Sequence, residues 1–206
     1  MKSIDRLYAG EIGGLVISSD GELSENLPSH PLILAGSFNP LHDGHRAMLG
    51  AASQVVNLPV FYEISIENVD KPVLPRAELD RRAAQITANG SSLIVTSAPR
   101  FTEKSSILPG ATFVIGFDTY IRLMDKQYYP DHIAGGASAV ENSLDLIHEN
   151  GCRFIVAGRV DDHSQFRGMH DIEFEVPQRF RSMFTELSES QFRSDLSSTE
   201  IRNSSN

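Results

Sequence analysis

Short apolar runs alternate along the chain with longer stretches in which apolar residues recur every three or four positions. The short runs have the length of strands and lack the alternation of a half-exposed sheet, so they predict buried strands. Strands are predicted at 32–35, 59–66, 93–97, 111–115, 154–157 and 183–187. The helical period predicts helices at 44–56 and 138–149, and further helices are predicted at 75–88, 101–109, 119–124 and 177–182. This order predicts an α/β fold with a doubly wound, mostly parallel sheet of five to six strands and helices on both faces.

The first 30 residues follow this pattern less closely. An apolar run at 14–18 predicts a strand, and the Asp20-Gly21 pair that follows is typical of a tight hairpin turn. We therefore interpret residues 1–30 as an N-terminal extension carrying a small hairpin, and residues 31–206 as the main domain.

Polar or glycine-bearing clusters follow three of the predicted strands, at 36–45, 116–118 and 158–159. Ligands of doubly wound sheets bind beyond the carboxyl ends of the strands, where the strand order switches. We therefore expect the three clusters to contribute to one site.

The 36–45 cluster joins a strand, a turn at Gly36 and a helix start. The first amides of a helix have no partner within the helix, so such a junction favours an anion. His42 and His45 are three residues apart and would share one face, and Gly44 would let a phosphate approach the backbone. The alternative is an ordinary strand-to-helix turn with two ordinary histidines. Two histidines are too few for a metal centre, so no metal ligand is predicted.

The net charge of −9 argues against sequence-independent nucleic-acid binding, which needs a broad basic surface. An anionic substrate would need a local group of cations. Lys71, Arg76, Arg81 and Arg82 flank the loop after the second strand of the main domain, and we expect two of them to lie on a solvated helix face. Lys71 is the best candidate for a phosphate ligand because it precedes a proline in a loop, and Arg159 is a further candidate.

The carboxyl-terminal run combines hydroxyls with a cation. Ser197 and Glu200 have the spacing of a helix capping box, and Arg202 follows within one turn. Hydroxyls, free amides and a guanidinium would suit a triphosphate. The alternatives are a simple helix cap, or a natural chain that continues beyond residue 206.

Cys152 is the single cysteine, so no intrachain disulfide forms and a reducing compartment is expected. The pattern gives no reason to treat it as a nucleophile. No apolar run has the length of a signal peptide or of a membrane span. These features predict a soluble cytoplasmic protein, and they carry no prediction of oligomeric state.

Three of these segments resemble signatures of the nucleotidylyltransferase superfamily. The run 36–45 resembles its first signature, with a His-x-Gly-His core, and 196–202 resembles its second, a Ser-Ser-Thr-x-Ile-Arg run. The segment 113–118 is similar to an element of nicotinamide and nicotinate mononucleotide adenylyltransferases. The stretch 63–72 resembles a less characterised, cytidylyltransferase-like branch.

The resemblance implies a Rossmann-like fold and transfer of AMP from ATP to a mononucleotide phosphate, with Mg²⁺ on the ATP. It implies a catalytic set of His42, His45, Lys71 and Arg202. The residue patterns and the resemblance together give a predicted nucleotide-binding set of Gly36, Ser37, Phe38, Asn39, Gly44, Gly116, Asp118, Arg159, Ser197, Ser198 and Thr199. Within these sets the histidines contact the nucleotide phosphates, Ser198, Thr199 and Arg202 hold the β and γ phosphates, and Gly116 and Asp118 lie beside the ribose.

Three functions remain open at this point. The first is AMP transfer to nicotinamide or nicotinate mononucleotide. The second is transfer of CMP or AMP to another phosphorylated small molecule, and the third is a nucleotide-binding regulator without turnover. In the enzymatic cases the acceptor phosphate is already an anionic nucleophile, so catalysis would consist of positioning and charge neutralisation.

Overall fold

The computed structural model describes residues 3–69, 71–125, 139–161, 163–171 and 176–193. The strands of its main sheet are β1 (Gly14–Ile17), β2 (Leu23–Ser24), β3 (Leu32–Ala35), β4 (Val60–Ser65), β5 (Leu93–Thr96), β6 (Thr112–Gly116), β7 (Arg153–Ala157) and β10 (Phe184–Leu187). Two further strands, β8 (Arg159–Val160) and β9 (Phe166–Arg167), form a separate hairpin.

The helices are α1 (Ser3–Tyr8), α2 (Asp43–Val55), α3 (Arg76–Thr87), α4 (Phe101–Ile107), α5 (Phe117–Met124), α6 (Ala139–Glu149) and a 3-10 helix (Gln178–Met183). The predicted alternation of strands and helices from residue 32 onward is confirmed. None of the helices in the described part of the chain is long and apolar enough to cross a membrane.

The strand order in the main sheet is β10-β7-β6-β3-β4-β5-β1-β2. The six strands from β10 to β5 are parallel, and they are the six that the apolar runs predict. The sheet has eight strands rather than five or six, because β1 pairs antiparallel with both β5 and β2. The division of the chain at residue 30 stays a prediction.

The chain winds outward from the centre of the sheet in two directions. From β3 it continues to β4 and β5 on one side, and from β6 it continues to β7 and β10 on the other. The carboxyl ends of β3 and β6 therefore flank the point at which the strand order switches, which is where such sheets bind ligands.

Each face of the sheet carries an apolar core. Leu34 of β3 packs in one core with Leu49 of α2 and Leu79 of α3, and Ile33 packs in the other with Tyr120 of α5 and Leu144 of α6. Successive residues of a strand point to opposite faces, so a parallel strand covered on both sides must be apolar throughout. This explains why β3, β5, β6 and β7 appear in the sequence as largely apolar runs.

Candidate active site

The β3–α2 loop, residues 36–42, lies at the switch point. At its start the Gly36 N–H donates to the Glu63 carbonyl at 3.0 Å, which ties the loop to β4. Phe38 follows with a φ of +44° and with only 1% of its surface exposed. Its ring lies against Gly36, where a Cβ would be 2.9 Å from the ring carbon Cζ. A side chain at position 36 would therefore force the Phe38 ring to shift.

Phe38 connects the loop to the sheet and to α2. Its ring meets His45 edge-to-face at 5.0 Å between centroids, and Tyr62 of β4 in the same way at 5.1 Å. Edge-to-face pairs stabilise a buried ring by about 0.5–1.5 kcal/mol beyond the area that they bury. The Phe38 ring therefore helps to fix the position of the His45 imidazole.

His42 and His45 form a stacked pair at the start of α2, as their spacing predicts. Their ring centroids are 3.7 Å apart with an angle of 27° between the planes. The backbone N–H of His42 donates to Nδ1 of His45 at 3.4 Å, and His42 is the N-cap of the helix. Because Nδ1 of His45 accepts a hydrogen bond, the neutral ring carries its proton on Nε2.

Burial lowers the pKa of His45 to about 4, and the neighbouring charges of His42 and Arg46 act in the same direction. Burial also lowers the pKa of His42, with Arg46 acting in the same direction and Asp43 opposing it. Both imidazoles are therefore neutral at pH 7. As neutral rings they can donate hydrogen bonds to an anion.

A second group of predicted site residues lies at the end of β6, the strand next to β3 in the sheet. Gly116 ends β6, and Met48 of α2 lies at 3.8 Å from the position that a Cβ would occupy there. Asp118 lies in the first turn of α5, and both of its oxygens accept from the Arg159 Nη1, at 2.9 and 2.8 Å. Arg159 begins β8, directly after Gly158, so this ion pair links the ends of β6 and β7.

The cations after β4 separate into different environments. Arg76 pairs with Asp5 and Asp80 on an exposed face, as the solvated-face interpretation expects. Arg81 and Arg82 instead contact the β3–α2 loop. Lys71 is exposed in the loop between β4 and α3. Its role as a phosphate ligand stays a prediction.

Comparison with known proteins gives the family. The family model described as cytidylyltransferase-like matches residues 33–204, which includes both sides of the switch point. The chain belongs to the cytidylyltransferase-like family. The resemblance to the nucleotidylyltransferase superfamily is thereby confirmed.

A relative of this cytidylyltransferase-like chain is known from Schizosaccharomyces pombe under the name "Putative nicotinamide mononucleotide adenylyltransferase". The two are 30% identical over an alignment of 114 residues, and the match covers 48% of this chain and 44% of the relative. The match therefore spans less than half the length of the relative.

The second signature of the cytidylyltransferase-like chain lies outside the described residues. Ser197, Ser198, Thr199 and Arg202 all fall after residue 193. Their convergence with the histidine pair stays a prediction.

Sequence reasoning missed a buried ion pair next to the site. Glu63, which is 1% exposed, accepts from Lys104 Nζ at 2.5 Å and from Thr96 Oγ1 at 2.6 Å. Its carbonyl is the one that receives the Gly36 N–H. The signal was a single acidic residue inside an otherwise apolar strand, but the sequence could not identify Lys104, 41 residues away, as its partner.

Two further buried groups lie away from the loop. Burial raises the pKa of the Cys152 thiol, which fits the expectation that this cysteine is not a nucleophile. Burial, together with the charge of Glu186, raises the pKa of Tyr120 to about 12. The Tyr120 hydroxyl has no hydrogen-bond partner among the described residues.

Proposed function

We propose that this protein is a nucleotidyltransferase that transfers AMP from ATP to the phosphate of nicotinamide or nicotinate mononucleotide, releasing pyrophosphate. The neutral, stacked His42–His45 pair at the start of α2 carries the proposal, because it offers hydrogen-bond donors at the switch point of a doubly wound sheet. Membership of the family supports nucleotidyl transfer as the reaction. The name of the Schizosaccharomyces pombe relative supports AMP as the transferred group and a pyridine mononucleotide as the acceptor.

The reaction needs no protein nucleophile. An oxygen of the acceptor phosphate bonds to the α phosphorus of ATP, and the bond from that phosphorus to the pyrophosphate oxygen breaks in line. Pyrophosphate leaves with the electron pair of the broken bond. Mg²⁺ enters as part of the substrate, on the ATP.

The histidine pair would act on the charge that develops in the transition state. The neutral His45 ring carries its proton on Nε2, because its Nδ1 accepts from the His42 N–H. A donor that is already in place stabilises developing negative charge without the cost of reorganisation. Positive charge would come from Lys71, Arg159 and Arg202, and the hydroxyls of Ser197–Thr199 would hold the outer phosphates.

The test is a screen of nucleoside triphosphates against phosphorylated acceptors. The purified protein is incubated with Mg²⁺ and with ATP or CTP, and each nucleotide is paired with nicotinamide mononucleotide, nicotinate mononucleotide or a phosphorylated alcohol. We expect pyrophosphate release with ATP and a pyridine mononucleotide. Turnover with CTP and a phosphorylated alcohol would instead support the second candidate, which the family description favours.

A histidine variant links the activity to the site. We expect His45→Ala to lower turnover by about a hundredfold, the size of effect that follows loss of one transition-state donor. His148→Ala is the matched control, since His148 is exposed on α6. A wild-type rate in His45→Ala would remove His45 from the mechanism. Binding of ATP without turnover on any acceptor would refute the enzymatic proposal in favour of a regulator.

A further inference from the structure

Helix α3 presents a polar stripe to the β3–α2 loop. The α3 stripe consists of Glu78, Arg81, Arg82 and Gln85, which share one face because they are three, four and seven residues apart. We propose that the α3 stripe holds the β3–α2 loop in its binding conformation, with Arg82 as the principal positioning residue. The inference rests on the proposed function, since the loop is the part of the site that carries the histidine pair.

The α3 stripe contacts alternate residues of the loop. Arg82 Nη1 donates to the Ser37 carbonyl at 3.0 Å, and Arg81 Nη2 donates to Asn39 Oδ1 at 2.5 Å. The Leu41 N–H donates to Gln85 Oε1 at 3.3 Å. One helix therefore restrains the loop from its start to the residue before His42.

Arg82 is better suited to hold the loop than its neighbour. Its side chain is 12% exposed, against 42% for Arg81. Its Nε and Nη2 donate to Glu78 Oε2 at 3.4 and 3.2 Å, which leaves Nη1 for the Ser37 carbonyl. A largely shielded guanidinium that donates to two groups of the protein holds its position better than a half-exposed one, and an exposed ion pair contributes little.

The contact with Ser37 has a geometric consequence for Phe38. The peptide bond between them is planar, so its C=O and N–H point in opposite directions. Because Arg82 draws the Ser37 carbonyl toward α3, the N–H of Phe38 points away from α3. The Phe38 ring in turn meets His45 edge-to-face. Loss of Arg82 would therefore loosen both the Phe38 amide and the support of the catalytic imidazole.

The same helix supplies a matched control. Arg76 is also an arginine of α3, is 40% exposed, and pairs with Asp5 and Asp80 rather than with the loop. Arg76→Ala removes an arginine and its ion pairs from α3 but leaves the α3 stripe unchanged. It therefore separates the effect on the loop from any general effect on the helix.

The first measurement is amide hydrogen exchange across residues 36–45 in the full-length protein. We expect Arg82→Ala to speed exchange at the Leu41 and His42 amides about tenfold or more, and Arg76→Ala to leave it unchanged. Arg82→Lys should give an intermediate result, because an ammonium can reach the Ser37 carbonyl but cannot also form the guanidinium contacts with Glu78. Unchanged exchange in Arg82→Ala would overturn the proposal, whatever its rate of turnover.

The second measurement is steady-state kinetics with ATP and the acceptor that the screen identifies. We expect Arg82→Ala to lower kcat about tenfold with a smaller change in KM for ATP, because the substrate still binds to a loop that is less well ordered. Faster exchange with a wild-type kcat would overturn the positioning role. If Arg82→Ala does not fold, Gln85→Ala tests the same loop through the Leu41 amide, with the same two outcomes.

These results are distinguishable from failure of the proposed function. Wild-type protein that turns over no acceptor would refute the proposed function. The exchange comparison between Arg82→Ala and Arg76→Ala would then still decide whether the α3 stripe holds the loop.

Discussion

Acid should destabilise the protein through His45. Its imidazole has a pKa of about 4 in the folded chain, against an ordinary value of 6.5, because the ring is buried and lies beside His42 and Arg46. Protonation at Nδ1 would also break the hydrogen bond from the His42 N–H. Between pH 6.5 and about pH 4 the unfolded chain therefore binds more protons than the folded chain, and the free energy of unfolding falls as the pH falls.

The size of the effect follows from the two pKa values. The difference between 6.5 and about 4, at about 1.36 kcal/mol for each factor of ten, gives a loss of about 3 kcal/mol. The stabilisation that the neutral His45 ring gives the folded chain is fully present above pH 6.5 and is lost progressively as the pH falls toward 4. A domain of ordinary stability unfolds at a cost of about 5–15 kcal/mol, so this loss is measurable.

His45→Gln is the informative variant. A glutamine at the third helical position can accept from the N-cap N–H, as in a capping box, but it does not titrate in this range. In urea unfolding at pH 7 we expect this variant to be less stable than wild type by about 0.5–1.5 kcal/mol, because it loses the edge-to-face contact with Phe38. Between pH 6.5 and pH 4 its free energy of unfolding should fall by about 3 kcal/mol less than that of wild type. His148→Gln, on the exposed side of α6, should follow the wild-type curve.

Two results would refute this reasoning. If the NMR resonances of the His45 ring titrate near pH 6.5, the ring is not buried beside His42 and Arg46. Identical pH dependence of unfolding in wild type and His45→Gln would show that His45 does not link folding to pH.

Three further substitutions test the packing around the site, each by urea unfolding. Lys104→Met should destabilise the protein by about 3–5 kcal/mol, because it leaves Glu63 buried without its cation. Adding Glu63→Gln to this variant should recover most of that loss. A small effect of Lys104→Met alone would show that the two side chains do not form a buried ion pair. Tyr120→Phe should stabilise by about 1 kcal/mol because it removes an unpaired buried hydroxyl, and a clear loss of stability would reveal an unrecognised partner. Gly36→Ala should cost about 1–3 kcal/mol, since its methyl would meet the Phe38 ring, and wild-type stability would contradict that close contact.

The core of the fold could be predicted because burial imposes a local pattern. A strand covered on both faces needs apolar residues throughout, and a helix packed on one side needs them every three or four positions. The six parallel strands and the junction at 36–45 were predicted from these patterns. The β1–β2 hairpin joins the sheet because β1 pairs antiparallel with β5. The sequences of β1 and β5 do not specify that these two strands pair.

The site could be predicted only in part. The spacing of His42 and His45 predicted their proximity, because residues three apart on a helix share a face. Their neutrality at pH 7 comes from burial and from neighbouring charges, and spacing does not report either. Arg82 was grouped with its helical neighbours as a partly solvated cation, because its contact with Ser37 joins residues 45 positions apart.

The sequence by itself determined the six parallel strands, the helices that alternate with them and the chemistry available after β3, since each depends on residues close together in the chain. The tertiary structure alone decided the strand order, the pairing of Glu63 with Lys104 and the support of the β3–α2 loop by α3. These features depend on contacts between residues distant in the sequence. Such contacts form when the whole chain has packed, and no local pattern specifies which side chains they bring together.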